Sequence, residues 1–177
     1  HSDQQRKFQS EPTSRYSYGW GGRLAELLTS YNTNPLISPL ISLAGLNPFQ
    51  VSLEGEINPY TLGNEGIVPL KRFEGARSQM VTNYMATIDE NAHLMAQKYT
   101  NVFSSATVAQ EIIESAFFTA ESSGVNFDDI FTNAGVESDS VIGNRLKTVA
   151  KMIKGRSQES NKRPIYFVEM NGFDQHA

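Results

Sequence analysis

Cysteine is absent from the 177 residues, which removes disulfide frameworks, thiolate metal sites and cysteine nucleophiles together. The compartment stays open, because many exported proteins carry no disulfide. An excess of basic charge is also lacking. Fifteen Lys and Arg stand against 19 Asp and Glu, a formal charge of -4. The sequence pI is near 5.4, and this balance excludes a basic nucleic-acid groove or a dock for an anionic membrane surface. No apolar run reaches the ~18 residues that would span a bilayer. The opening residues, His1 to Lys7, are polar and unlike the apolar stretch of a signal peptide. There is no Asn-x-Ser/Thr sequon. A chain that starts at His1, without an initiator Met, reads as processed or truncated.

What is present is a polar globular composition, 39% hydrophobic and 19% charged, with 18 Ser and 13 Asn. At about 100–200 residues per domain, this is one domain or a piece of a larger one. Residues 1–31 form an entry segment and a helix. In that helix Gly19-Trp20-Gly21-Gly22 opens onto Leu24, Leu27, Leu28 and Tyr31 at i, i+3, i+4, i+7, a spacing that predicts an amphipathic helix from near Gly21. Its glycines allow close backbone packing, with Trp20 as an anchor. Residues 32–75 hold five of the seven prolines, and no Lys or Arg occurs between Leu24 and Leu70. Prolines at this density exclude long helices and central strands, leaving Phe49–Leu53 as the best strand candidate. So long an irregular segment suggests a functional surface loop, an insertion, or packing against another part of the protein.

Residues 76–135 are helical in pattern, with neither Pro nor Gly from Ala76 to Ser122. One long helix or, in the preferred reading, two are expected, with a break near Thr100–Thr107 where Ser and Thr cluster. In residues 136–177, Ile142, Leu146, Val149 and Ile153 mark the core face of a helix capped by Ser138 or Ser140 and stopped by Gly155. After a polar linker, Pro164–Met170 is rich in β-formers. Helix, short linker and strand make half of a βαβ unit, so the expected class is α/β, with Pro164–Met170 a buried parallel strand carrying that helix.

In open α/β sheets ligands gather beyond the carboxyl ends of strands. The loop Asn171-Gly172-Phe173-Asp174-Gln175-His176 occupies that place. Asp174 and His176 are two apart, and in an extended segment i and i+2 point the same way. A carboxylate and an imidazole converging on one point suit Zn²⁺, Mn²⁺ or Fe, or an acid/base pair. The plain alternative is a turn with two solvated polar side chains. His93, beside Leu94 and Met95, reads as a surface or partly buried helix histidine. No phosphate-binding Gly-rich loop, G-x-S-x-G elbow or HExxH is present.

Three stretches share a further pattern. They are His1-Ser2-Asp3-Gln4-Gln5 with Phe8-Gln9, then Tyr18-Gly19-Trp20-Gly21-Gly22-Arg23-Leu24-Ala25-Glu26, and finally Leu146 to Ile153 with Tyr166 to Ala177. Together they resemble the DUF1501 proteins, a family of unknown function related to the alkaline phosphatase and sulfatase superfamily. Its members have a "GW.GR" segment after a Ser-His element, and a helix and strand ending in a "GFDTH"-like loop. The resemblance follows order and spacing along nearly the whole chain and is loosest over residues 32–135.

The resemblance implies a mixed or mostly parallel alkaline phosphatase-like sheet flanked by helices. It also implies a divalent metal, zinc or manganese, and hydrolysis of phosphate or sulfate esters. By analogy Asp174 and His176 are metal ligands, although superfamily enzymes more often space the pair as Asp-x-x-x-His. His1 would be the histidine of the Ser-His element and a third candidate ligand. Family members are more than twice as long, so this chain is expected to be a central fragment, inactive alone. The superfamily's nucleophile and further ligands would lie outside it. Its partner would be the remainder of the same polypeptide or a larger assembly, with neither nucleic acid nor a membrane span, in an exported location. The rival expectation is a non-catalytic exported or assembly-bound protein that uses the proline-rich segment as an interaction surface. A fragment is also expected to expose apolar surface.

Overall fold

The computed structural model describes residues 2–10, 18–32, 37–53, 57–63, 66–67, 73–156 and 162–170. In chain order they form α1 (Ser2–Gln9), α2 (Trp20–Leu27), β1 (Leu40–Ser42), β2 (Tyr60–Thr61), α3 (Gly75–Ala86), α4 (Leu94–Glu121), α5 (Phe127–Asn133), α6 (Val141–Lys154) and β3 (Ile165–Phe167). The strands make a parallel sheet in the order β2-β1-β3, with Ile41 opposite both Tyr60 and Tyr166. The α/β class and the parallel setting of the last strand therefore hold. The strand is shorter than Pro164–Met170 and half-buried, because it lies at one edge of the described sheet with β1 as its neighbour.

Central strand β1 is buried on both faces, as a parallel strand with covered sides must be. Its alternation divides the molecule into layers. Ile41 and Leu43 face a core shared with Ile37, Leu62, Ala109, Ile113 and Met152, on the side covered by α4 and α6. Leu40 and Ser42 point the other way, toward α2 and the 3-10 turn Pro48–Gln50. That turn falls where a strand over Phe49–Leu53 was expected. Pro48 at its first position and the Asn47 side chain, accepting from Gln50 N at 3.0 Å, fold the chain over instead. The strands of this segment are β1 and β2.

The glycines of α2 serve close approach. A Cβ on Gly19 would lie 2.1 Å from the carbonyl oxygens of Pro48 and Phe49, and one on Gly22 2.3 Å from that of Val51. This contact turns the helix, so its buried residues are Gly21, Gly22 and Ala25, while Leu24, Leu27 and Tyr31 are exposed. The apolar spacing marked the wrong face, since the thin face is the one that fits.

The same rule governs α4. Helix α4 runs unbroken through Thr100–Thr107, where Thr107 Oγ1 donates back to Phe103 O at 3.0 Å and Thr100 Oγ1 reaches Met85 Sδ of α3 at 3.6 Å, so neither hydroxyl breaks the helix. The break lies between α3 and α4, where His93 caps α4 by accepting from Met95 N through Nδ1 at 3.2 Å. The inner face of α4 is Ala109, Ile113, Ala116 and Ala120. Ser140 caps α6, its Oγ accepting from Gly143 N at 3.2 Å. The buried residues of α6 are Gly143, Arg145, Thr148 and Met152. Of the expected stripe, Val149 packs on the core while Leu146 and Ile153 are 44% and 58% exposed. Gly155 stops α6 as expected, but with φ -85 its role is room: a Cβ there would sit 1.7 Å from Ala116 O.

Candidate functional site

The carboxyl edge of the sheet is built by a buried polar network. Ser42 Oγ donates to Gly45 O at 2.5 Å and accepts from Ala44 N at 3.2 Å and Asn47 Nδ2 at 3.3 Å. These bonds tighten the turn after β1, and Gly45 takes its positive φ of 77. Asn47 Nδ2 also donates to Gln50 Oε1 at 2.9 Å. Gln50, with no exposed surface, donates from Nε2 to Ile41 O at 3.2 Å and Ile165 O at 3.3 Å, clamping β1 to β3. A carboxamide is suited to this place because its donors and acceptor are all met without a net charge.

Two further elements reach the same edge. The exit of β3 is held by Arg145, whose buried guanidinium donates through Nη1 to Glu169 O. The Phe167 ring stacks on Phe49 with centroids 5.8 Å apart, and Phe49 meets Trp20 edge-on at 6.0 Å. Trp20 Nε1 in turn donates to Phe8 O at 3.2 Å, tying α1 to α2. Between α1 and the sheet edge lies a cleft of about 310 Å³. Arg6 and Gln9 of α1 line one part of it, Ala44, Leu46, Asn47 and Pro48 another, and Phe167 and Glu169 the third.

Asp174, His176 and His1, the residues expected to hold a metal, lie outside the described residues. Among the described residues no group of three His, Cys, Asp or Glu side chains could hold a metal ion. His93 serves as the cap of α4. The cleft residues Arg6, Gln9 and Glu169 were not legible as a site, since they belong to no local motif and meet only through the fold.

Two other cavities have different chemistry. One, of about 20 Å³, is walled by core residues including Ile41, Ile113 and Met152. Tyr166 borders it, and burial pushes its phenol up to about 12 against a small opposing pull from Arg156. Burial, reinforced by Glu114, also raises Tyr60. The other is an open polar cleft beside α5 where two ion pairs meet solvent, Lys147 with Asp128 at 2.7 Å and Lys151 with Glu121 at 2.8 Å. The hydrogen bond from Lys147 holds the Asp128 carboxyl below its ordinary range. Among the described residues no helix is long and apolar enough to cross a membrane. No family model, curated protein or solved structure matches the chain.

Proposed function

We propose that the chain is a segment of a metal-dependent hydrolase-like protein acting on phosphate or sulfate esters, with Asp174, His176 and His1 as ligands of zinc or manganese. The observation that supports this most is the cleft at the carboxyl edge of a parallel sheet, shared by α1 and the exit of β3. Helix α1 begins one residue after His1, and the described part of the β3 exit ends four residues before Asp174. One carboxylate and two imidazoles are donor types that both metals accept. Such a metal polarises an ester oxygen and activates the attacking group. The remaining ligands, the nucleophile and an alkaline phosphatase-like remainder of the sheet belong to a longer, exported polypeptide of the DUF1501 kind. Metal analysis of the full chain and of Asp174→Ala and His176→Ala tests the reading. Bound zinc or manganese that both substitutions remove is the expected result, and a protein that retains metal equally in both variants refutes it.

A second reading, an interaction protein that keeps the fold without catalysis, draws on a different observation. The inner stripe of α4 that α6 covers continues toward its start as Met95, Tyr99 and Val102, all exposed, with Met80 and Tyr84 of α3 also bare. A metal-free protein that associates through this face favours that reading.

A further inference from the structure

We propose that the cleft between α1 and the sheet edge holds the anionic head of a phosphate or sulfate ester on Arg6 and Gln9, with the ester's organic group lying on Leu46, Pro48 and Phe167. This rests on the ester-hydrolase reading and adds which substrate groups the cleft takes.

Arg6 and Gln9 stand three residues apart on α1, so both side chains share one face of the helix. Neither has a hydrogen-bond or ionic partner among the described residues, although both border the cleft. For an exposed arginine this is ordinary. Gln9 is only 9% exposed and lines the cleft, so its unpartnered carboxamide is left to bond what enters there. The Ser10 hydroxyl beside it is also buried and unpartnered among the described residues. A guanidinium and a carboxamide N–H are the donors an oxyanion takes up, and a charged acceptor makes those bonds stronger.

The opposite wall is apolar. Leu46 is 85% exposed at the cleft, Pro48 is fixed by the turn after Asn47, and Phe167 is held by its stack on Phe49. The Asn47 amide is already committed to Ser42, Gly45 and Gln50, so it adds no free donor. The cleft also holds one carboxylate, Glu169, which repels an anion. It disfavours multiply charged anions and leaves binding to depend on the organic group as well.

The test is an NMR titration of the full chain in chelator, with phenyl phosphate and inorganic phosphate as separate probes. Phenyl phosphate is expected to shift residues 6–9, 44–48 and 167–169 and to bind about tenfold more tightly than inorganic phosphate. Arg6→Gln should weaken it about tenfold, whereas Glu169→Gln should tighten it about twofold to fivefold. Arg6 is exposed and Glu169 half-buried, and a dispersed spectrum checks that the variants keep the fold. Shifts from neither probe, equal binding of both, or insensitivity to both substitutions would overturn the proposal. Chelator keeps this result separate from the metal reading, which stands or falls on metal content.

Discussion

Gly155→Ala separates two accounts of why a glycine ends α6. With φ -85, alanine fits the backbone there, and if conformational freedom were the only issue the change would stabilise by about 0.4–1 kcal/mol. The packing says otherwise. The new methyl would lie 1.7 Å from Ala116 O and 2.5 Å from Ala116 C, both main-chain atoms of α4, so no side-chain rotation relieves it. Restoring a carbon–oxygen separation of about 3.3 Å requires α4 and α6 to move apart locally by roughly 1.6 Å. A gap above 1 Å forfeits more than half of the dispersion energy of the facing atoms. The affected contact includes Ile113 and Met152, both buried in the core. The expected destabilisation is about 3 kcal/mol, at the upper end of overpacking costs. Urea unfolding followed by circular dichroism measures it, as a lower midpoint with an unchanged slope. Gly124→Ala is the control: its surroundings are open and its φ is +75, so it should lose only about 1 kcal/mol to backbone strain. If Gly155→Ala is neutral or stabilising, the close contact between α4 and α6 is not what fixes this glycine.

The buried clamp between β1 and β3 gives a second expectation: Gln50→Leu removes both carbonyl contacts and one of the bonds made by the Asn47 amide, costing about 2–3 kcal/mol in the same unfolding assay. Ser140→Ala should cost about 1 kcal/mol through the lost cap of α6, and an unchanged midpoint would refute that role. Stability should fall at alkaline pH. Tyr166 keeps its proton to about pH 12 in the folded chain, whereas the unfolded chain loses it near 10. Its contribution is therefore fully present below pH 10 and lost as pH rises through 12, by up to about 3 kcal/mol. Tyr60 acts in the same direction, and a Tyr166→Phe chain whose alkaline decline equals that of the parent would refute the assignment.

Local signals in the sequence carried furthest. The Ser140 cap, the stop at Gly155 and the parallel strand after the linker all depend on a few neighbouring residues and stand in the structure. Facing was harder to read. Apolar periodicity chose Leu24 and Leu27 for α2, and Leu146 and Ile153 for α6, yet α2 packs through Gly21, Gly22 and Ala25, and α6 buries Gly143, Arg145, Thr148 and Met152. Hydrophobicity does not report thinness, so the stripe and the interface part company. The break within residues 76–122 lies between α3 and α4 instead, because the Thr107 hydroxyl bonds back to its own helix and that of Thr100 reaches across to α3. At the candidate site, Asp174, His176 and His1 lie outside the described residues, while Arg6, Gln9 and Glu169 are brought together only by tertiary structure.

The column of rings from Trp20 through Phe49 to Phe167 makes the molecule its own optical probe. Trp20 is the single tryptophan of the chain, so its emission has one source. At the other end of the column, Phe167 is part of the cleft wall. A molecule seated against Phe167 presses on Phe49, whose ring edge touches the indole. Occupancy of the cleft is thereby converted into a change of colour or intensity, with no label attached.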